Sequence, residues 1–327
     1  MLFCRTLAAV LLLTIALYGV DNGCFKFFPG SFKIVNGHTS FAVAKDRFVS
    51  FKCPPDKKVV AEDRLKGLCL FEDRAEKPLY LSDIEPPLYI CPDKKVLKNP
   101  FKSYPYSIYA GELKMRPDHE GAIFSGCCRL AAIFDGSGRW FGAKSIRKLL
   151  KNETIHGDIG ARFVKQGDNV AVESVDPFLK VGLMEGDIVF SVGSKKEPAL
   201  RDVEVAIDSC KEGSSLKFVV NRGGSAANVD VKCFRRMGGG AISDTFLERF
   251  GMEFDHSLKI VRIEEGSILY KRGLRAGDRL LAIDGKSVKS EADVRDVLSR
   301  YATQKSTPQN MLWERGEFQF FLLPTAL

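Results

Sequence analysis

What this chain of 327 residues lacks narrows its function first. It has no Cys-x-x-Cys pair, and its four histidines, His38, His119, His156 and His256, are scattered. A closed zinc site of the usual ligand spacing is therefore not encoded, and no metal or other cofactor is expected. No nucleic-acid-binding motif accompanies the positive net charge, so no nucleic-acid partner is expected. After the first twenty residues no apolar run reaches the roughly 20 residues that a bilayer span needs. Nothing in the composition suggests wholesale disorder. With 45% hydrophobic and 28% charged residues, the chain can bury ordinary cores, as two or three domains.

The first twenty residues differ from the rest. Arg5 is the only charge before Asp21, and Leu7 to Val20 is nearly all apolar. A short positive start and an apolar run of this length read as a signal peptide over residues 1–20. The competing reading is an uncleaved anchor or a buried helix. Leu17-Tyr18-Gly19 makes a poor cleavage site. Cys24 after Gly23 hints at a lipoprotein, but Asp21 and Asn22 stand where an apolar and a small residue are wanted. Periplasmic or secreted localisation follows, with no transmembrane span in the mature chain.

Cysteine usage agrees with export. Once Cys4 leaves with the leader, eight remain: Cys24, Cys53, Cys69, Cys91, Cys127, Cys128, Cys210 and Cys233. An even count in an exported chain is compatible with disulfides, although eight cysteines allow 105 pairings. Adjacent Cys127 and Cys128 favour distant partners over each other. Cys210 and Cys233 are the first pair to examine, because one ends an expected helix and the other lies on an expected strand nearby. The net charge of +8 is uneven: 22 Lys/Arg face 14 Asp/Glu between Cys24 and Leu150, against 26 of each from Lys151 on. The basic excess suits an acidic partner or an anionic surface, or is simply a solvated face.

The second half carries a repeat about 91 residues apart. Gly182-Leu183-Met184-Glu185-Gly186-Asp187 and Gly273-Leu274-Arg275-Ala276-Gly277-Asp278 each lead into an alternating apolar strand. Before each lies another strand and turn: Val170 to Val175 then Asp176-Pro177, and Leu258 to Ile263 then Glu264-Glu265-Gly266. After each comes a helix. In the second copy Ser290-Glu291-Ala292-Asp293 reads as a capping box opening a face of Val294, Val297, Leu298 and Tyr301. In the first, Val203, Ala206, Ile207 and Cys210 form the face. Strands at Leu216–Asn221 and Val229–Phe234, and at Asn310–Trp313 and Glu317–Leu323, close the copies.

This order resembles the PDZ family in the arrangement found in bacterial proteases of the HtrA and DegP type. The second copy matches closely, with Glu265-Gly266-Ser267 before its small helix; the first has Asp176-Pro177-Phe178 there, and Ser194-Lys195-Lys196 in place of the second copy's Asp284-Gly285 turn. The resemblance implies a partly open β-barrel with an exposed strand edge beside a helix, where an extended peptide adds a strand. It places the carboxylate-receiving loops at Ile159-Gly160-Ala161-Arg162 and Phe250-Gly251-Met252-Glu253, with grooves lined by Val203 and Ile207, and by Val294 and Leu298. A structural alternative is that neighbouring segments close the grooves, which then only pack domains.

Residues 24–150 carry no strong motif. Short β-forming runs broken by Cys53-Pro54-Pro55, Glu85-Pro86-Pro87 and Cys91-Pro92 favour a mostly β, disulfide-stapled domain. The echo between Cys53–Val59 and Cys91–Val96 reads as a repeated hairpin or as chance, and Lys144 to Lys151 as a basic helix. This part is similar to a domain preceding PDZ copies in envelope proteins of epsilon-proteobacteria; no expectation is drawn from it. Because PDZ copies often follow a trypsin-like protease, Ser125 in Ser125-Gly126-Cys127-Cys128 is the one nucleophile to weigh. The Gly-Asn-Ser-Gly-Gly pattern is absent, and His38 sits too near the mature start.

The expected fold is therefore mainly β with α+β: a cysteine-containing domain at 21–150, then PDZ-type domains at 155–236 and 242–324. The expected function is binding of peptides or envelope proteins, at chain ends or strands, as a scaffold, a quality-control adaptor or a companion to a protease. The rivals are a diverged HtrA-type serine endopeptidase using Ser125 and a structural protein with closed grooves.

Overall fold

A computed structural model describes residues 30–86, 88–91, 95–97, 100–105, 108–125, 128–304 and 306–322. The apolar leader, Cys24 and Cys127 lie outside them. The chain forms two compact units, residues 1–154 and 155–327.

In the first unit a five-stranded sheet is built from β1 (Phe32–Val35), β2 (His38–Ala44), β3 (Arg47–Ser50), β4 (Val59–Asp63) and β5 (Leu68–Glu72), in the order β1-β2-β3-β5-β4. A seven-stranded sheet follows from β6 (Leu88–Cys91), β7 (Lys95–Leu97), β8 (Phe101–Ser103), β9 (Gly111–Leu113), β10 (Gly121–Phe124), β11 (Leu130–Phe134) and β12 (Arg139–Gly142). Helix α1 (Ala143–Leu150) turns Ala143, Ile146 and Leu149 inward at helical spacing. One core joins Phe41, Val49 and Leu70 of the first sheet, Phe124, Leu130 and Ile133 of the second, and Ile146 and Leu149 of α1. The basic residues Arg147 and Lys148 occupy the last turn of α1, where they complement its dipole. Much of the basic excess is partnered on the surface: Lys33 and Lys57 both pair with Asp73, and Arg47 and Lys58 with Glu72.

The Cys53–Val59 echo is not a repeated hairpin. Cys53 sits between β3 and β4, which do not pair because β5 lies between them, whereas β6 and β7 pair directly. Cys53 is instead bonded to Cys69 on β5, with Cα atoms 5.2 Å apart.

In the second unit the first copy comprises β13 (Gly157–Asp158), β14 (Ala161–Gln166), β15 (Asn169–Val175), β16 (Ile188–Val192), β17 (Lys195–Lys196), helix α2 (Leu200–Asp208), β18 (Ser215–Arg222), β19 (Ser225–Lys232) and β20 (Phe234–Arg235). Its main sheet runs β14-β15-β16-β18-β19, so β14 is an outermost strand. The second copy repeats the plan with β21 (Met252–Phe254), β22 (Ile260–Ile263), α3 (Ile268–Lys271), β23 (Arg279–Ile283), β24 (Lys286–Ser287), α4 (Glu291–Gln304), β25 (Met311–Arg315) and β26 (Phe318–Leu322). The capping box forms as expected: Asp293 N donates to Ser290 Oγ at 3.2 Å and Ser290 N to Asp293 Oδ2 at 2.9 Å.

Each Gly-Leu-x-x-Gly-Asp turn is held by the same clamp. The buried carboxylate of Asp187 accepts Met184 N and both ends of the Arg222 guanidinium; that of Asp278 accepts Arg275 N and both ends of Arg315. Arg222 also donates to the Gly182 carbonyl, and Arg315 to that of Gly273. A buried carboxylate requires such a partner, and the bidentate fork fixes the turn on the closing strand.

Cys210 follows α2, Cys233 lies between β19 and β20, and the two are bonded with Cα atoms 6.0 Å apart. Cys128 is also disulfide-bonded. Replacing Cys210 and Cys233 together by alanine should lower the unfolding free energy by about 3 kcal/mol, the chain-entropy value for a loop of this length. Urea unfolding followed by circular dichroism measures it, and an unchanged midpoint would show that the bridge constrains nothing.

Candidate functional site

The candidate site is the pair of clefts between β14 and α2 and between β21 and α4, together with the loops at their ends. In each loop the glycine is demanded by conformation. Gly160 has φ +69, and a Cβ there would come 2.7 Å from Leu179 Cδ1; Gly251 has φ +79. The loops superimpose in their bonding: Asp176 N donates to the Gly160 carbonyl, and Glu264 N to that of Gly251, each at 2.8 Å.

Three of the loop amides bond within the chain. Ile159 N and Gly160 N both donate to Asp158 Oδ1, at 2.7 and 3.0 Å. A carboxylate of the chain itself thus occupies the place expected for a peptide's terminal carboxylate. In the second copy Gly251 N donates to the Glu248 carbonyl at 3.0 Å. Ala161 and Met252 begin the two edge strands and are buried, as is Ile159, while Phe250 is half-buried and packs edge-on against Phe178 of the first copy. Glu253 pairs with Arg262 across β21 and β22. Val203, Ile207, Val294 and Leu298 are all buried in the two copies' cores rather than exposed along open groove walls.

Between the loops lies a buried ion cluster that the sequence repeat did not reveal. Arg162 uses all five of its donors. Nε and Nη2 reach Asp244 at 2.6 and 2.8 Å, Nη1 and Nη2 reach Asp158 at 2.8 and 3.1 Å, and Nη1 also donates to the Ala161 carbonyl. Arg236 donates to Asp244 as well, and Arg249 pairs with Asp176. Burial would raise the Asp244 carboxyl, but the Arg162 and Arg236 guanidiniums override it and hold the group well below the carboxylate range. Asp176 behaves oppositely: burial lifts it to about 6 against the pull of Arg249. Glu248 is pushed up to about 8 by burial, with the Asp244 charge adding to the shift.

Asp244 belongs to a stretch that crosses the second cleft. Ser243 N donates to the Phe254 carbonyl at the end of β21, at 3.4 Å. Ser243 Oγ lies 2.8 Å from the Asp255 carbonyl and 3.0 Å from Glu291 Oε1, the first residue of α4. One turn along α4, Arg295 Nη1 donates to the Asp244 carbonyl at 2.6 Å. Ser243 therefore bonds to the end of β21 on one side and to the start of α4 on the other.

The first unit holds Ser125, which is buried at the end of β10. Its Oγ accepts from Ser82 at 2.9 Å. His38 pairs through Nδ1 with Glu120 at 2.8 Å, at the opposite end of β10. The four residues of β10 lie between Glu120 and Ser125, so five residue steps, roughly 16 Å, separate them. The geometry therefore does not join Ser125 to His38, nor to His119 beside Glu120. Among the described residues no group of three or more His, Cys, Asp or Glu could hold a metal ion.

Two family models described as PDZ domain match the chain, one over residues 157–233 and one over residues 259–306. A probable periplasmic serine endoprotease, DegP-like, of Bartonella henselae is 27% identical over 176 residues, covering 49% of this chain and 34% of the relative. One of the same description from Halomonas elongata is 23% identical over 167 residues, covering 46% and 35%. The chain spans about a third of the length of these relatives. Among solved structures it is similar to the HtrA-type protease AlgW with decapeptide, at 13% identity and TM-score 0.44 over 61% of this chain and 82% of that one. The serine endoprotease from Yersinia pestis gives 13% and 0.44, over 61% and 88%.

The raised carboxyls set a pH dependence of stability. Glu248 and Asp176 bind their protons more tightly folded than unfolded, so their contribution to stability is full below the ordinary carboxylate range and is lost as pH rises through their folded values of about 8 and 6. The unfolding free energy should thus decline by a few kcal/mol between about pH 4.5 and 8.5. Glu248→Gln should flatten the part of that decline above pH 6. Denaturant titrations at several pH values test it, and an equal slope in both proteins would refute the assignment.

Proposed function

With two PDZ domains in tandem in its second half, related to those of HtrA-type proteases, the chain is one that we propose binds extended protein segments by strand addition in the cell envelope. The observation that carries this reading is the cleft between β21 and α4. It holds a short stretch of the chain, Ser243-Asp244, with a backbone bond to the strand on one side and side-chain bonds to the helix on the other. This is the arrangement that strand addition beside a helix requires. The edge of β14 offers a second such site in the first copy. Because Ile159 and Gly160 donate to Asp158, this copy takes internal segments more readily than chain ends.

The apolar leader and the Cys53–Cys69 and Cys210–Cys233 bridges support an oxidising compartment outside the cytoplasm. Among the described residues no helix is long and apolar enough to cross a membrane. The role that fits is an envelope scaffold or quality-control adaptor, which presents bound proteins to a protease. The rival reading, grooves that only pack the two copies together, is favoured by the burial of Val203, Ile207, Val294 and Leu298.

A screen of the purified chain against a library of free-ended and internal peptides separates the two. Bound peptide should slow hydrogen exchange at Met252–Phe254 or Ala161–Gln166. Absence of any binder, or protection elsewhere only, would favour the packing role. Hydrolysis is not part of the reading: a fluorophosphonate probe should leave Ser125 unlabelled, and stoichiometric labelling abolished by Ser125→Ala would restore the endopeptidase alternative.

A further inference from the structure

The segment that fills the second cleft has a chemistry of its own, and each of its residues is recognised. The Ser243 hydroxyl faces the Asp255 carbonyl and Glu291, whose Oε1 is also held by His256 Nδ1 at 2.5 Å. Ser243 is buried. The Asp244 carboxylate meets the Arg162 and Arg236 guanidiniums. The Thr245 amide and hydroxyl both donate to the Glu248 carboxyl. The hydroxyl of Ser243 is read by the Asp255 carbonyl and by Glu291 at the start of α4, the acid by Arg162 and Arg236, and the Thr245 hydroxyl by Glu248.

The segment is entered through a tight turn. Gly238, Gly239 and Gly240 precede it, the last two at φ +100 and +69; Gly239 bridges to Ile242, and its amide donates to the Ser243 carbonyl at 3.3 Å, so the turn and the segment move together. Phe246 follows it at φ +68, a left-handed conformation that costs a bulky residue of order 1 kcal/mol or more. Its ring is held beneath the Arg162 guanidinium, 5.1 Å from the centroid. Arg162 belongs to the first copy's carboxylate loop, so the same side chain that secures Asp158 there pins Asp244 and Phe246 in the second copy.

We propose that Ser243-Asp244-Thr245 is a built-in pseudo-ligand of the second cleft, latched by Arg162, and that its displacement admits an extended segment of another protein with the same hydroxyl–acid–hydroxyl pattern. This rests on the reading of the β21–α4 cleft as a peptide site and adds what that site selects and how it is kept closed. The partner competes for the Phe254 carbonyl, Glu291 and Arg295. An acid on the partner takes over Arg236 and Arg162, so opening exchanges one set of ion pairs for another.

The test uses the whole chain and a fluorescent peptide Ala-Ile-Ser-Asp-Thr-Phe, which copies residues 241–246. A Ser243→Ala/Asp244→Ala double variant should bind it at least tenfold more tightly than the unaltered chain does. A peptide with Ala-Ala in place of Ser-Asp should lose that binding. In the unaltered chain, which needs no substitution to stay folded, saturating peptide should speed hydrogen exchange at residues 243–245. Equal affinity for both proteins, or unchanged exchange, would overturn the pseudo-ligand while leaving the cleft a peptide site. Binding of other library peptides but not of this one would overturn the stated pattern alone. If no peptide of any sequence binds either protein, the cleft reading itself falls, and the latch with it.

Discussion

The second unit depends on one side chain, Arg162. Buried guanidinium and carboxylate groups are tolerated only when every donor and most acceptors are matched, because desolvation otherwise costs several kcal/mol per ion. Arg162 meets that condition through two carboxylates and a carbonyl, one carboxylate just before its own loop and one from the start of the second copy. Its burial therefore ties the first loop, the linker and the second cleft into one arrangement. Around it, Ser299 Oγ on α4 accepts Val175 N of the first copy at 2.9 Å, and Phe178 packs against Phe250. These contacts bring the ends of the two clefts together rather than leaving two independent modules on a string.

That arrangement changes what the family resemblance implies for chemistry. A loop of backbone amides is a site for any carboxylate, and the nearest one wins if geometry allows. In the first copy the nearest is Asp158, one residue before the loop, so the amides expected to receive a chain end are satisfied internally. In the second copy the cleft is filled by a neighbour in sequence. In both cases an effective concentration set by short tethers favours the internal partner over one arriving from solution. In both copies the chain's own groups bond to the loop residues.

The two Gly-Leu-x-x-Gly-Asp turns show how far a motif can be read. Their glycines and strand were legible because the turn geometry demands those residue types at that spacing. The arginines that clamp the aspartates were not, since Arg222 and Arg315 lie 35 and 37 residues further on, and nothing local marks them. The capping box at Ser290 and the Cys210–Cys233 bridge were legible for the opposite reason: a cap is made within one helical turn, and the bridge joins an expected helix end to a nearby strand. Of the two readings of the Cys53–Val59 echo, a repeated hairpin or chance, the hairpin is excluded because strand order places β5 between β3 and β4.

By itself the sequence determined the tandem PDZ plan, the mostly β character of the first unit, the helices and their inward faces, and the glycines of both loops. The helices and strands follow from periodicity, turn chemistry and residues close along the chain, whereas the PDZ plan and the loop glycines follow from the family resemblance that the repeated turns carry. The tertiary structure decided which groups fill the clefts. The pairing of Arg162 with Asp244 spans 82 residues, and that of Ser243 with Glu291 spans 48. Contacts of such separation are set by how two folded copies pack, for which a single sequence has no local signal. The burial of Val203, Ile207, Val294 and Leu298 has the same origin: an apolar stripe on a helix reads alike whether it lines an open groove or a closed core.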